Sequence, residues 1–194
     1  MANVTLVEHP RGLLGRLSFR YSKRMLGRVA DPVRAANHHG GVLVASGLLE
    51  TAVARGWRKL DPGLAGMVQL LAAARIGCTW CVDYGYYEQV HKGADPAKLR
   101  AVTQWRTSAV FDDRERAALE YTDCATATPV VVPDELTRRL QALFSEAEMV
   151  ELASWVALEN YRSRFNGAMG LHSEGFSKEC ALPILDEAGH IVTV

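Results

Sequence analysis

Apolar residues recur along this chain at intervals of three and four, the spacing that places them on one side of a helix, and runs that alternate as a strand would are almost missing. The pattern predicts helices near 12–29, 33–56, 62–76, 79–92, 96–110, 113–127, 134–144 and 146–168. Their starts are marked chemically. Asp31-Pro32, Asp61-Pro62 and Asp95-Pro96 each put a capping acceptor before a proline at the first helical position, and Ser145-Glu-Ala-Glu148 has the spacing of a capping box. Pro129-Val-Val-Val-Pro133 is too short and proline-bound for a central strand and reads as a connector. The expected fold class is all-α, a compact multi-helix body. Similar segments at 71–81 and 152–162 leave room for a duplicated helical hairpin.

Two stretches stand apart from that body. Residues 1–29 form a basic amphipathic helical extension, in which Arg11, Arg16, Arg20, Lys23, Arg24 and Arg28 interleave with Leu13, Leu14, Leu17, Met25 and Leu26. This helix is expected to cover its own domain or a neighbouring subunit. Residues 177–194 form a tail, closing on Ile191-Val-Thr-Val, that is expected to wrap the body or another subunit. The segment between them, 30–176, is the domain proper.

Composition narrows the function. Basic and acidic residues balance at 22 each in 194 residues, so no global field draws the chain to nucleic acid or to an anionic membrane. The apolar runs are interrupted before the roughly 20 residues that a bilayer span needs. Four cysteines are too few for a disulfide scaffold. A cytoplasmic protein is expected, without membrane or nucleic-acid partners.

The candidate chemistry lies at Cys78-Thr-Trp-Cys81, where one predicted helix ends at Gly77 and the next begins. Two thiols at this spacing can close and reopen a disulfide, and a helix N-terminus favours thiolate over thiol. A strand would have to precede the motif in a thioredoxin arrangement, and here a helix does. Structural zinc would need two further ligands, whereas Cys124, Cys180, His91 and His172 are scattered singly, so no metal is expected. On a helix from residue 81, Tyr84, Gly85 and Glu88 share the face of Cys81, with His91 one turn on; Glu88 and His91 are the candidate proton-relay groups. Either cysteine could attack.

Leu60-Asp-Pro-Gly-Leu64, Cys78-Thr-Trp-Cys81-Val-Asp83 and Gly93-Ala-Asp-Pro96, followed by Glu115-Arg-Ala-Ala-Leu119, Val132-Pro-Asp-Glu-Leu136 and Asn160-Tyr-Arg-Ser-Arg-Phe-Asn166, resemble the carboxymuconolactone decarboxylase/alkylhydroperoxidase D-like superfamily over residues 30–176. The resemblance implies an all-helical homo-oligomer, a dimer, trimer or hexamer. The CxxC favours the alkylhydroperoxidase branch, where such a pair reduces hydroperoxides without an organic cofactor and is recharged by an external dithiol. By that analogy Cys81 attacks and Cys78 resolves. The chain departs from the branch where a relay histidine and glutamate belong, at Gly85 and Gly66. Two other readings stand beside the thiol peroxidase. One is a cofactor-free decarboxylase, lactonase or isomerase of a small organic acid, with His38, His39, Arg75 and Arg162 as candidate groups; the other is a non-catalytic oligomeric redox scaffold.

Overall fold

Pro62–Ile76 is apolar apart from Gln69 and Arg75, and a helix of that kind is stable only when it is surrounded. In the computed structural model, which describes residues 2–177 and the backbone of 184–185 and 191–192, this segment is the central helix, α4. Its Gly and Ala residues let neighbours approach closely. Val68, Leu71, Ala72 and Ala74 are completely shielded, and Leu99, Val102, Leu119, Leu136, Leu140, Leu152 and Val156 close the core around it.

The full helical order among the described residues is α1 (Gly12–Leu26), α2 (Asp31–Ala36), α3 (Gly40–Gly56), α4, α5 (Thr79–His91), α6 (Pro96–Ala101), a 3-10 turn (Val102–Gln104), α7 (Asp113–Thr126), α8 (Asp134–Leu143) and α9 (Glu146–Ala168). Two two-residue strands, Ile184–Leu185 and Ile191–Val192, pair antiparallel. The fold is all-α, as the hydrophobic spacing indicates. No helix among the described residues is long and apolar enough to cross a membrane. Cys180 and most of the expected tail lie outside the described residues.

Contacts divide the chain into two compact units, Met1–Trp57 with Ala168–Leu171, and Arg58–Gly167 with His172–Val194. In the first, α2 packs on both α1 and α3, and Asn3 bonds the carbonyls of Ala168 and Met169 at 2.8 Å each. In the second, α4 packs on α5, α6 and α7, and α8 packs on α7.

Three predicted helices differ at their ends for local reasons. The predicted helix 33–56 begins earlier and breaks at Asn37–His39. The Asn37 amide bonds the Val33 carbonyl (2.8 Å) and Ser18 Oγ (3.1 Å), while His39 Nδ1 accepts the Val42 N–H (3.2 Å) and caps α3. Short polar side chains thus compete with the helical ladder. Asp31 is inside α2 instead of capping it; Ala30 occupies the cap, and Asp31 pairs with Arg34 at 2.9 Å. Asp61, Asp95 and Ser145 do cap, accepting N–H groups of Leu64, Ala97 and Glu148. The predicted helix 96–110 ends at Ala101, because Arg116 takes the carbonyls of Trp105 and Ser108 and the Trp105 indole bonds Asp123 at 3.0 Å. The predicted helix 12–29 stops at Leu26, where Gly27 turns left-handed with φ +72°.

Candidate active site

Gly77 produces the local geometry of the cysteine pair. Its left-handed backbone, φ +82°, ends α4, and both its N–H and that of Cys78 bond the Ala73 carbonyl at 3.0 Å. The chain re-enters helix at Thr79. Cys78 is therefore the N-cap of α5, and its sulfur accepts the Cys81 N–H at 3.2 Å. One turn separates the cysteines, their Cα atoms lie 5.3 Å apart, and the two sulfurs are within bonding distance as a disulfide. Both are buried, at 3% and 7% exposure.

The second group at the sulfurs comes from α9. Asn166, 3% exposed, donates its amide N–H to Cys81 Sγ at 3.3 Å. It ends a buried row, Leu152, Val156, Glu159, Ser163 and Asn166, spaced by four and three, which turns from apolar to polar as it nears the cysteines. Within that row the Ser163 hydroxyl donates to Glu159 at 2.7 Å, and Arg162 pairs with Glu159 and donates to Gln69 at 2.9 Å. Asn166 is not among the site residues expected from the sequence. A polar residue continuing an apolar stripe was the signal it carried.

Residues 173–177 lie as a strap across the start of α5. The Ser173 N–H bonds Thr79 Oγ1 at 3.1 Å, the Trp80 indole donates to Glu174 at 2.6 Å, and the buried Asp83 carboxylate accepts from the Ser173 hydroxyl (2.7 Å), the Phe176 N–H (3.0 Å) and the Ser177 N–H (2.7 Å). Phe176 meets Trp80, Tyr84 and Tyr87 through ring contacts of 5.4–6.1 Å between centroids. Both residues between the cysteines are thus tied to the strap.

Glu88 and His91 are on α5 as expected, with other partners. Glu88 accepts the Tyr84 hydroxyl (3.2 Å) and pairs with Lys92 (3.1 Å); His91 Nδ1 bonds the Tyr87 carbonyl at 2.8 Å and is exposed. Hydrogen bonds to the two sulfurs come from the Cys81 N–H and Asn166 among the described residues. At Gly85 an added Cβ would meet only Leu70, at 3.6 Å, so a side chain could begin there. At Gly66 it would come within 2.5 Å of the Gln89 amide carbon: Gln89 occupies the space that a side chain on residue 66 would take.

Residues considered for acid chemistry are held elsewhere. In the first unit, His38 Nε2 bonds the Thr5 carbonyl at 2.5 Å and His39 caps α3. In the second, Arg75 grips Asp123 with two bonds of 2.6 and 2.9 Å. Cys124 is half-buried beside this pair. Burial first, then the carboxylates of Glu120 and Asp123, raise its thiol above the ordinary range, which disfavours the thiolate.

Known proteins carry the same frame. Residues 44–123 match the model of the carboxymuconolactone decarboxylase family. The uncharacterized protein YnjA of Escherichia coli K12 is 31% identical over 183 residues, 94% of this chain and 95% of its own. The chain belongs to the carboxymuconolactone decarboxylase family. Within the wider alkylhydroperoxidase D-like superfamily, a protein of unknown function from Agrobacterium tumefaciens, described as a candidate AhpD antioxidant-defence protein, is 26% identical with a TM-score of 0.66, covering 72% of this chain and 94% of its own. The debrominase Bmp8, in a complex with 2,3,4-tribromopyrrole, shares the fold at 21% identity with a TM-score of 0.77, covering 91% and 95% of the two chains.

Proposed function

We propose that this family member is a thiol-dependent oxidoreductase that reduces hydroperoxides through Cys78 and Cys81, in the manner of a peroxiredoxin. The observation that carries the reading is the pair itself: two sulfurs within bonding distance at the start of a helix, each accepting a hydrogen bond. The likeness to an AhpD-type defence protein supports it. The Cys81 thiolate attacks the distal peroxide oxygen; the S–O bond forms, the O–O bond breaks, and the alkoxide leaves with a proton as the alcohol. The Cys78 thiolate then attacks the Cys81 sulfur of the sulfenic acid, the S–O bond breaks, and the leaving hydroxide takes a proton from solvent to become water, closing the disulfide, which two electrons and two protons from an external dithiol reopen. Each sulfur has the electrostatic support its step needs. Cys78 at the N-cap has the partial positive charge of α5, and Cys81 has the Asn166 donor. The chemistry needs no organic cofactor and suits the cytoplasm, where dithiol reductants are abundant.

Turnover of an organic hydroperoxide with a dithiol tests the reading, and a sulfenic-acid trap assigns the roles. Cys78→Ser should accumulate one trapped adduct on Cys81, and Cys81→Ser should give none. Equal peroxide consumption by the double Cys→Ser protein would sink the proposal. With glycine at both relay positions, the rate should fall below that of relatives with a complete relay by about 10²–10⁴-fold, the usual worth of general acid–base assistance.

A further inference from the structure

Five hydrogen bonds join residues 173–177 to α5, and two of them end on Thr79 and Trp80, the residues enclosed by the cysteine pair. The other three converge on Asp83, which is 4% exposed and accepts from the Ser173 hydroxyl and from the Phe176 and Ser177 N–H groups. A carboxylate so deeply buried is costly unless donors meet its oxygens, and here the strap supplies them. Strap and helix belong to the same compact unit.

The disulfide closes a small covalent ring around Thr79 and Trp80. With the ring closed, the backbone of both anchors is fixed before the strap docks. With the ring open, docking has to order that backbone as well. Binding to a preorganised surface is tighter because part of the ordering cost has already been met. The strap has a conformational requirement of its own at Gly175, where φ is +70° and the N–H donates to Ser173 Oγ at 3.2 Å. An added Cβ there would meet nothing within 4 Å, so a side chain at 175 would strain the docked backbone without touching a neighbour.

We propose that residues 173–177 are a redox-sensitive latch, bound more tightly to α5 when Cys78 and Cys81 are joined than when they are reduced. Reduction is exchange with a dithiol: two electrons and two protons pass to Cys78 and Cys81, which become thiols, and the dithiol closes to its own disulfide. Such coupling is reciprocal. By whatever factor the closed disulfide tightens the strap, the docked strap makes the disulfide harder to reduce. Release of the latch takes Phe176 away from the rings of Trp80, Tyr84 and Tyr87, so the two oxidation states present different surfaces along α5. The latch concerns the disulfide itself and is read without peroxide, so it stands whether or not the protein reduces hydroperoxides.

Two measurements on the full chain test both sides of the coupling. Amide hydrogen exchange of residues 173–177 should be about 3- to 10-fold slower in the oxidised protein than in dithiothreitol, the effect of one or two residues ordered in advance. Equilibration with mixtures of reduced and oxidised dithiothreitol, followed by alkylation and mass analysis of Cys78 and Cys81, gives the redox equilibrium. Gly175→Ala changes no charge and lies outside α5. It should speed exchange in the strap and make the disulfide easier to reduce by a similar factor, about 15–30 mV. Asp83→Asn places amide hydrogens where the strap presents its own donors, and should act in the same direction. Equal exchange of residues 173–177 in the two oxidation states overturns the proposal, as does a redox equilibrium unchanged in both variants. A shift confined to Asp83→Asn would assign the effect to the lost charge beside the thiols and would overturn the latch as well.

Discussion

Asn166 touches the sulfur proposed to attack without being able to titrate, which separates it from the relay groups of the alkylhydroperoxidase branch. An amide can stabilise the Cys81 thiolate by donating to it, but it cannot carry a proton away. A hydrogen bond to a charged group is worth about 1.5–3 kcal/mol, or roughly one to two pH units of thiol acidity. In a Cys78→Ser background, Asn166→Leu should therefore move the pH profile of Cys81 alkylation upward by about that much, and Asn166→Asp should move it further by placing an anion beside the sulfur. An unchanged profile in both would remove Asn166 from the chemistry. Gly66 and Gln89 form a second coupled pair. Alanine is favoured over glycine inside a helix by about 1 kcal/mol, yet Gly66→Ala forces Gln89 out of its place. Urea unfolding should show Gly66→Ala gaining about that amount in a Gln89→Ala protein and gaining nothing, or losing stability, in the natural one.

Helix ends carry much of the specification in this chain, and the box at the head of α9 can be tested by pH. Glu148 accepts from the Ser145 N–H and hydroxyl at 2.8 Å each and pairs with Arg114 at 2.6 Å; in that order these contacts lower its carboxyl from the ordinary value of 4.5. A carboxyl whose folded value is depressed contributes stability that is complete above its unfolded value and is lost as pH falls through the folded one. Glu148→Gln should cost about 1 kcal/mol near pH 7, with the gap to the natural protein narrowing below pH 4.5 and closing at lower pH. A gap independent of pH would mean that the charge is irrelevant. The same ends show what the sequence can disclose. Asp61, Asp95 and Ser145 announce their helices because a cap and its acceptor are neighbours in the chain. The break at residues 37–39 was not legible, since it depends on Asn37 reaching Ser18 and on a histidine acting as a cap. The cysteine pair was legible for the first reason and Asn166 was not for the second: 85 residues separate it from Cys81.

At the scale of the whole molecule, the described residues leave a group of large apolar side chains exposed. Leu13, Leu14, Leu17, Tyr21 and Met25 of α1 are each more than half exposed, as is Leu48 of α3. Exposed apolar side chains grouped on one helix are a feature of association surfaces. Light scattering at micromolar concentration is expected to give a multiple of 21.3 kDa, and a monomeric mass would refute the expected homo-oligomer. The placement of Trp80 has an optical consequence. Trp80 lies between the two half-cystines in the sequence, and its indole stacks on Tyr84 at 5.1 Å and is anchored to Glu174. Disulfides quench nearby indole emission, so opening this one should brighten the protein, and Trp80→Phe should abolish that change while leaving the light of Trp57, Trp105 and Trp155. The oxidation state of the pair would then be readable in real time, unlabelled, from a fluorophore that the chain already carries within its own redox motif.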